Sequence, residues 1–410
     1  MAGLQVSDKW PAVLDSFRPK NGGSALKVAI VHYWMLAYAG AEREISALFE
    51  IFPDAHLFVL IAGEDVLKRF APHTVTTSFL QRVPGSRRFH RHLLPLSPFA
   101  LEQFDLRNYD VVISIESGPA KGVITSPGTC HINYCNSPMR YIWDMYHEYA
   151  NGKEMKGLTR LIFRTVAHYM RLWDLASASR VDYFISNSNY IAGRVRKFYR
   201  RESTVIYPPV DVRSGYLADG VGDYYLVVGR LVDYKRVDLA IEACNRLRRP
   251  LRVVGVGPQY ERLRKLAGPT VEFLGNLGDN QKNEQYAHCR ALLFPAEEDF
   301  GIVPVEAHSF GRPVIAFGRG GALETVQGPF AAEGAVDSSS NGIFFSEQTV
   351  DSLVEAVLAF EHCEKDFSPA QIARNADRFS TERFKQQVAN FVADHVEEFR
   401  TASHVQPAAR

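Results

Sequence analysis

The feature that most constrains this chain is an alternation that runs, stops at a proline pair, and runs again. Short apolar runs fall at Lys27–Trp34, His56–Ile61, Asp110–Ile115, Gly122–Thr125, Ile132–Cys135 and Val181–Ser186. Continuous runs of this kind suit strands covered on both faces, as in a parallel sheet. After the first run comes a small-residue turn, Ala37 to Ala41. Ile45, Leu48, Phe49 and Phe52 then recur at helical spacing. Tyr207-Pro208-Pro209 must be extended, because a residue before proline is driven out of the helical region. The pattern then restarts, with strands expected at Tyr224–Val228, Leu251–Gly255, Val271–Leu274, Ala291–Phe294 and Pro313–Phe317. Helices are expected between them at Arg236–Leu247, Gln259–Leu266, Gln281–Cys289 and Pro304–Phe310.

The fold class implied is α/β, with two Rossmann-like, doubly wound parallel-sheet domains at 1–208 and 209–385. A last helix, about Thr381 to Arg400, opens a segment 386–410 that is expected to pack back on the first domain and end in a loose tail. Ligands in such sheets sit beyond the carboxyl ends of the strands, so two facing sheets would frame a cleft.

Composition narrows the class further. An apolar share of 46% with 23% charged residues is that of a globular protein. No apolar run approaches the roughly 20 residues of a membrane-spanning helix. Asp8, Asp15 and two prolines near the N-terminus do not read as a secretory signal. Five scattered cysteines form no CxxC pair, which argues against zinc or a disulfide framework and for a reducing, cytoplasmic setting. The net charge of +1 hides a split: residues 1–208 hold 25 Lys/Arg against 18 Asp/Glu (+7), and 209–410 hold 22 against 28 (−6). Either the first half meets an anionic surface or the halves have simply drifted apart in charge.

Two segments carry candidate chemistry. In Glu298-Asp-Phe-Gly-Ile-Val-Pro-Val-Glu306 an acidic loop runs into a helix, with Pro304 expected as its first residue. The backbone N–H groups around Gly301, Ile302 and Val303 would then be unpaired and suited to a phosphate. Glu306 would sit in the first turn, where it could either cap the helix or accept hydrogen bonds from sugar hydroxyls. Glu298, at the loop's other end, is either a site carboxylate or a solvated one. The second segment, Gly229-Arg230-Leu-Val-Asp-Tyr-Lys235-Arg236, follows the second domain's first strand. A bidentate guanidinium and a mobile ammonium there fit a diphosphate, although exposed loops are commonly basic.

Taken in order, GRLVDYKRVDLAIEA (229–243), VVGVGP (253–258), VEFLGNL (271–277), ALLFPAEEDFGIVPVEA (291–307) and GRPVIAFGRGGALETV (311–326) resemble the retaining glycosyltransferases of family 4, whose fold is called GT-B. AGAERE (39–44) resembles that family's GGAE turn. NSPMRYIWDMYHEY (136–149) and DYFISNSNYIAGRVRKFY through VIYPPVD (182–211) resemble bacterial mannosyl- and rhamnosyltransferases of surface polysaccharide assembly. The resemblance spans residues 27–385. It implies that 1–208 binds an acceptor and 209–385 a nucleotide sugar.

By the same resemblance Arg230 and Lys235 form the diphosphate clamp, and Glu298 touches the transferred sugar. Glu306 holds the donor ribose, with Phe300, Gly301, Ile302 and Val303 between the two carboxylates. Leu274 and Gly275 lie in the segment beside the base, and the amide of Gly40 approaches the phosphates. Two departures stand out. Ala39 replaces the first glycine of GGAE, and Asn136 stands where many members have a histidine near the sugar's C6 hydroxyl. Asn136 exchanges hydrogen bonds but cannot ionise, which bears on sugar identity. His131, five residues earlier, reads as structural.

Gly255-Val-Gly257 is followed by Pro258 and lacks a third glycine at the right offset, so a nicotinamide site is not expected. Residues 82–94 mix Arg82, Arg87, Arg88 and Arg91 with Phe89, Leu93 and Leu94. Lys156, Arg160, Arg164 and His168 form an i, i+4 stripe within 156–171. Both stretches suit docking on anionic lipid, or are solvated faces. No aromatic platform suggests nucleic acid.

The expected activity is retaining transfer of a hexose, mannose from GDP-mannose, to a lipid-linked saccharide in cell-surface polysaccharide or lipopolysaccharide synthesis. It needs no metal or other cofactor, and the enzyme would be peripheral at the inner face of the cytoplasmic membrane. The alternatives are a UDP- or dTDP-sugar donor, a nucleotide-sugar 2-epimerase, and a catalytically dead sugar-nucleotide-binding partner subunit.

Overall fold

The computed structural model describes residues 26–36, 40–152, 156–331 and 334–402. Most of the turn expected at Ala37 to Ala41, the Ala39 departure and the end of the tail lie outside the described residues. The chain forms two compact units, Met1–Pro209 together with Phe384–Arg410, and Val210–Arg383.

The first unit is built on seven strands: β1 Val28–Met35, β2 His56–Ala62, β3 Val75–Thr77, β4 Val111–Glu116, β5 Cys130–Cys135, β6 Tyr183–Ser186 and β7 Thr204–Val205. They pair in the order β3-β2-β1-β4-β5-β6-β7, every pair parallel. Alternate residues of β1 serve opposite faces. Val28 and Ile30 pack with Leu57, Val59, Ile113 and Ile132, whereas Ala29 and Val31 pack with Phe58, Leu60 and Val112. The first face is closed by the helix Thr381–Ala402, through Phe384, Val388, Val392 and Val396 at four-residue spacing. Burying one such side chain contributes about 1.5–3 kcal/mol.

The expected strand Gly122–Thr125 does not form. Residues 120–122 make a 3₁₀ turn and the following residues are unpaired. Val123 is buried in the face that holds Val31, so the apolar run there serves packing and not a ladder. A Cβ on Gly122 would lie 2.1 Å from the Trp173 indole, so the glycine lets that ring approach.

The second unit carries β8 Tyr225–Val228, β9 Leu251–Val254, β10 Val271–Gly275, β11 Leu292–Phe294, β12 Val314–Phe317 and β13 Gly342–Phe345. The order is β10-β9-β8-β11-β12-β13, again all parallel. Two cores sandwich the sheet. Tyr225, Val227, Val253, Leu293 and Ile315 line one face, and Leu226, Val254, Leu292, Val314 and Ala316 the other. In this order the chain first adds strands on one side of β8 and then returns to add β11 on the other. The carboxyl ends of β8 and β11 therefore flank a crevice where no connecting helix crosses.

Candidate functional site

Two loops rise from that crevice. After β8, residues 229–236 leave through Gly229 and turn at a 3₁₀ segment, Asp233–Lys235. The loop lies against residues 255–257: a Cβ on Gly255, whose φ is +139°, would sit 1.9 Å from the Gly229 carbonyl oxygen. The GVG sequence is thus a backbone-packing device of this loop. After β11, residues 295–301 lead to Gly301, which caps the helix Ile302–Ser309 with φ +90°. A third turn supports them. Gly321 N–H donates to the Glu298 carbonyl at 2.8 Å, and a Cβ on Gly321 would lie 2.3 Å from Phe300 Cα.

Lys235 and Glu298 meet in a salt bridge across the crevice, with only 15% and 17% of their side chains exposed. Burial works against the Lys235 ammonium, but Glu298 beside it holds the group above its ordinary value. Arg230 is exposed, and no ion pair holds it among the described residues. One cation is therefore committed to a carboxylate and the other is available.

The helix that follows differs from expectation at its start. It begins at Ile302, so Pro304 is its third residue and Glu306 falls in the second turn. Proline is tolerated there because the first N–H groups of a helix have no partner within it. The amides of Gly301, Ile302 and Val303 still end the helix, but Glu306 stands too deep for a capping role. Its Oε2 accepts from Tyr286 Oη at 2.8 Å and its Oε1 lies 3.9 Å from Lys282 Nζ. Both partners come from the helix Asp279–His288, whose polar surface gives little periodic signal. A tyrosine as buried as Tyr286 needs a hydroxyl partner, but its burial is not visible in the sequence. The Phe300 ring is turned into the core, 5.4 Å from the Phe379 ring, which leaves its backbone as the only part toward the loop. Leu274 is partly buried in the core beside β10, and Gly275 turns the chain at φ +68°.

Gly40 and Asn136 belong to the first unit. Gly40 opens the helix Gly40–Ile51, and Asn136 follows β5. The Asn136 amide is held from both ends: Nδ2 donates to Glu44 Oε2 at 2.7 Å, and Oδ1 accepts from Asn187 Nδ2 at 3.1 Å. Glu44 is buried, and burial pushes its carboxyl up to about 8, against the pull of the Asn136 hydrogen bond and with the push of Glu42. Nearby in sequence, the Asn136 and Ser137 amides donate to the Glu116 carbonyl at 2.7 and 3.2 Å. The Glu116 carboxylate is itself fully buried with Lys121 and Asp174. Trp143 and Tyr199 also donate to Asp174, at 2.7 and 2.9 Å. His131 is buried between Ser114 and the Arg180 carbonyl, and burial lowers it to about 4. It is a packed, neutral side chain.

In 82–94 the expected insertion residues divide. Phe89 is exposed, but Leu93 and Leu94 are turned toward separate cores, and Arg87 pairs with Glu64 at 2.5 Å.

Residues 214–379 match the family described as glycosyl transferases group 1. Over 154 residues the chain is 32% identical to O-antigen chain mannosyltransferase C of Escherichia coli, covering 33% of this chain and 42% of that protein. Over 251 residues it is 26% identical to the alpha-1,3/1,6-mannosyltransferase ALG2 of Homo sapiens, covering 52% and 58%. The chain thus spans about half the length of these curated relatives. Its fold is that of Anabaena HepE, solved with UDP-glucose, at TM-score 0.61 and 17% identity over 89% of this chain and 99% of that one.

Proposed function

We propose that this chain is a glycosyltransferase that moves a hexose from a nucleotide diphosphate donor to a saccharide acceptor. The observation that carries the reading is the Lys235–Glu298 pair at the switch point of the second sheet, beside an available Arg230 and a helix N-terminus. These groups form a fixed electrostatic arrangement of the kind that stabilises a leaving diphosphate. Donor phosphates would draw Lys235 away from Glu298, and the released carboxylate would accept from sugar hydroxyls. Glu306 would hold the ribose. The bond between the sugar's anomeric carbon and the phosphate oxygen breaks, the acceptor oxygen bonds the same carbon from the same face, and its proton passes to a phosphate oxygen. Configuration is then retained, and Glu298 positions the sugar without becoming a covalent nucleophile.

Mannose is the sugar in this reading, supported by the mannosyltransferase names among the relatives. GDP is the carrier, supported by the name of a GDP-mannose-dependent mannosyltransferase of Mycobacterium tuberculosis that is 32% identical over 148 residues. The acceptor is lipid-linked and destined for a surface polysaccharide, and the protein works at the inner face of the cytoplasmic membrane. Among the described residues no helix is long and apolar enough to cross a membrane. Incubation with labelled GDP-, UDP- and dTDP-sugars, with and without EDTA, tests the proposal. GDP-mannose should be hydrolysed slowly without acceptor and unaffected by chelator. Turnover of none of the donors would refute the activity, and magnesium-restored loss in EDTA would refute the metal-free mechanism.

A further inference from the structure

The helix Gly157–Ser177 presents to solvent a surface that a water-facing helix does not need. Leu158, Leu161, Ile162, Tyr169 and Leu172 are 70%, 61%, 53%, 52% and 58% exposed. At 100° per residue these five fall on one stripe, with Thr165 among them, running about 21 Å along the axis. Its opposite side is already satisfied: Phe163, Val166, Ala167 and Met170 pack on Met139 and Ile142. The apolar stripe is therefore a second, unpartnered one.

Charge decides what could cover it. Arg164 and His168 flank one edge of the stripe, Lys156 precedes the first turn, and the sequence has no Asp or Glu from 157 to 173. Asp174, the first acidic residue, is buried on Lys121. A neighbouring segment packs on the helix's inner side through Leu94, and Phe89, Leu96 and Phe99 of that segment are themselves exposed. An apolar stripe flanked by Arg164, on a helix with no acidic residue before Asp174, matches the layered chemistry of an anionic bilayer, acyl chains beneath phosphate headgroups.

We propose that the outer face of the helix Gly157–Ser177 lies in the headgroup layer of an anionic membrane, with Leu158, Leu161, Ile162 and Leu172 inserted and Arg164 on a lipid phosphate. The surface would bring the protein to a lipid-borne acceptor, and so extends the reading above. Its test needs no sugar nucleotide, so either idea can fail without the other.

The full chain is sedimented with vesicles of phosphatidylglycerol or of phosphatidylcholine, at low and high salt, beside the variants Leu161→Ser/Leu172→Ser and Arg164→Glu. Both variants alter exposed side chains, so melting and donor hydrolysis should stay at wild-type values. Wild type should pellet with phosphatidylglycerol, less at high salt, and little with phosphatidylcholine. The leucine variant should bind about tenfold more weakly or worse, and Arg164→Glu should lose most of the salt-sensitive part. Equal pelleting of wild type and both variants would overturn the proposal. So would a dimer in sedimentation velocity that Leu161→Ser/Leu172→Ser dissociates, since a second copy would then own the face.

Discussion

Lys235 and Glu298 come from loops after two neighbouring strands, and their side chains close on each other in a largely buried salt bridge. Arg230, five residues earlier, has no such obligation. The two cations should therefore fail differently. Lys235→Ala leaves the Glu298 carboxylate without its partner and should cost about 1–3 kcal/mol of stability as well as donor affinity. Arg230→Ala should melt as wild type, within about 0.5 kcal/mol, and bind nucleoside diphosphate about tenfold more weakly. Thermal melts and calorimetric titration of both variants separate the two behaviours. Unchanged binding in both would move the phosphate site elsewhere.

Glu306→Gln should keep the fold, because the amide oxygen still accepts from Tyr286 while the longer contact with Lys282 loses its charge. Donor binding should fall by about 1.5–3 kcal/mol, the worth of hydrogen bonds to a charged acceptor. The donor KM measures this, and a KM equal to wild type would exclude Glu306 from the ribose.

Glu44 should make stability depend on pH. Burial raises its carboxyl from 4.5 to about 8, so the folded chain holds a proton that the unfolded chain releases between those values. The resulting stabilisation is complete below about 4.5 and is lost as pH rises through about 8. Glu44→Gln keeps an acceptor for Asn136 and removes the titration. Denaturation of both proteins from pH 5 to 8 should show wild type losing about 3–4 kcal/mol relative to the variant. Parallel curves would mean that Glu44 titrates normally.

Lys121 forms ion pairs with two fully buried carboxylates, Glu116 and Asp174. Glu116 is pushed up to about 7, by burial first, with Lys121 pulling it down and Asp174 pushing it further up. Lys121→Met should lower stability by about 3–5 kcal/mol, the cost of stranding buried charge. Urea unfolding gives the number, and a loss under 1 kcal/mol would mean that water or a proton supplies the missing charge.

The strand-and-helix rhythm was legible because parallel sheets concentrate β-branched residues in short runs, as in Val28–Val31 and Val314–Phe317. β3 and β7 were not, because three and two residues cannot establish a period. Gly122–Thr125 misled for the opposite reason, being apolar through contact with a core and not through pairing. Lys235, Glu298 and Glu306 stood out by spacing. Their partners Tyr286, Lys282 and Gly321 did not, since each is defined by three-dimensional proximity from an otherwise ordinary segment. The same holds for Glu44 and Asn136, which are 92 positions apart.

The division of the chain at Pro209 and Phe384 has a consequence for the order of events on the ribosome. The first sheet is synthesised before the second unit, yet the helix residues that seal one of its faces, Phe384 through Val396, emerge only after it. Until then Ile113, Ile132 and Tyr134 have only the helix Gly40–Ile51 over part of that side, while the whole second unit, already translated, contains everything its own cores require. Of the two units the first starts to emerge earlier, and the second is the one free to finish first. A nascent chain halted before Phe384 would hold a complete younger unit and an older one with an open apolar face, the species most prone to aggregate.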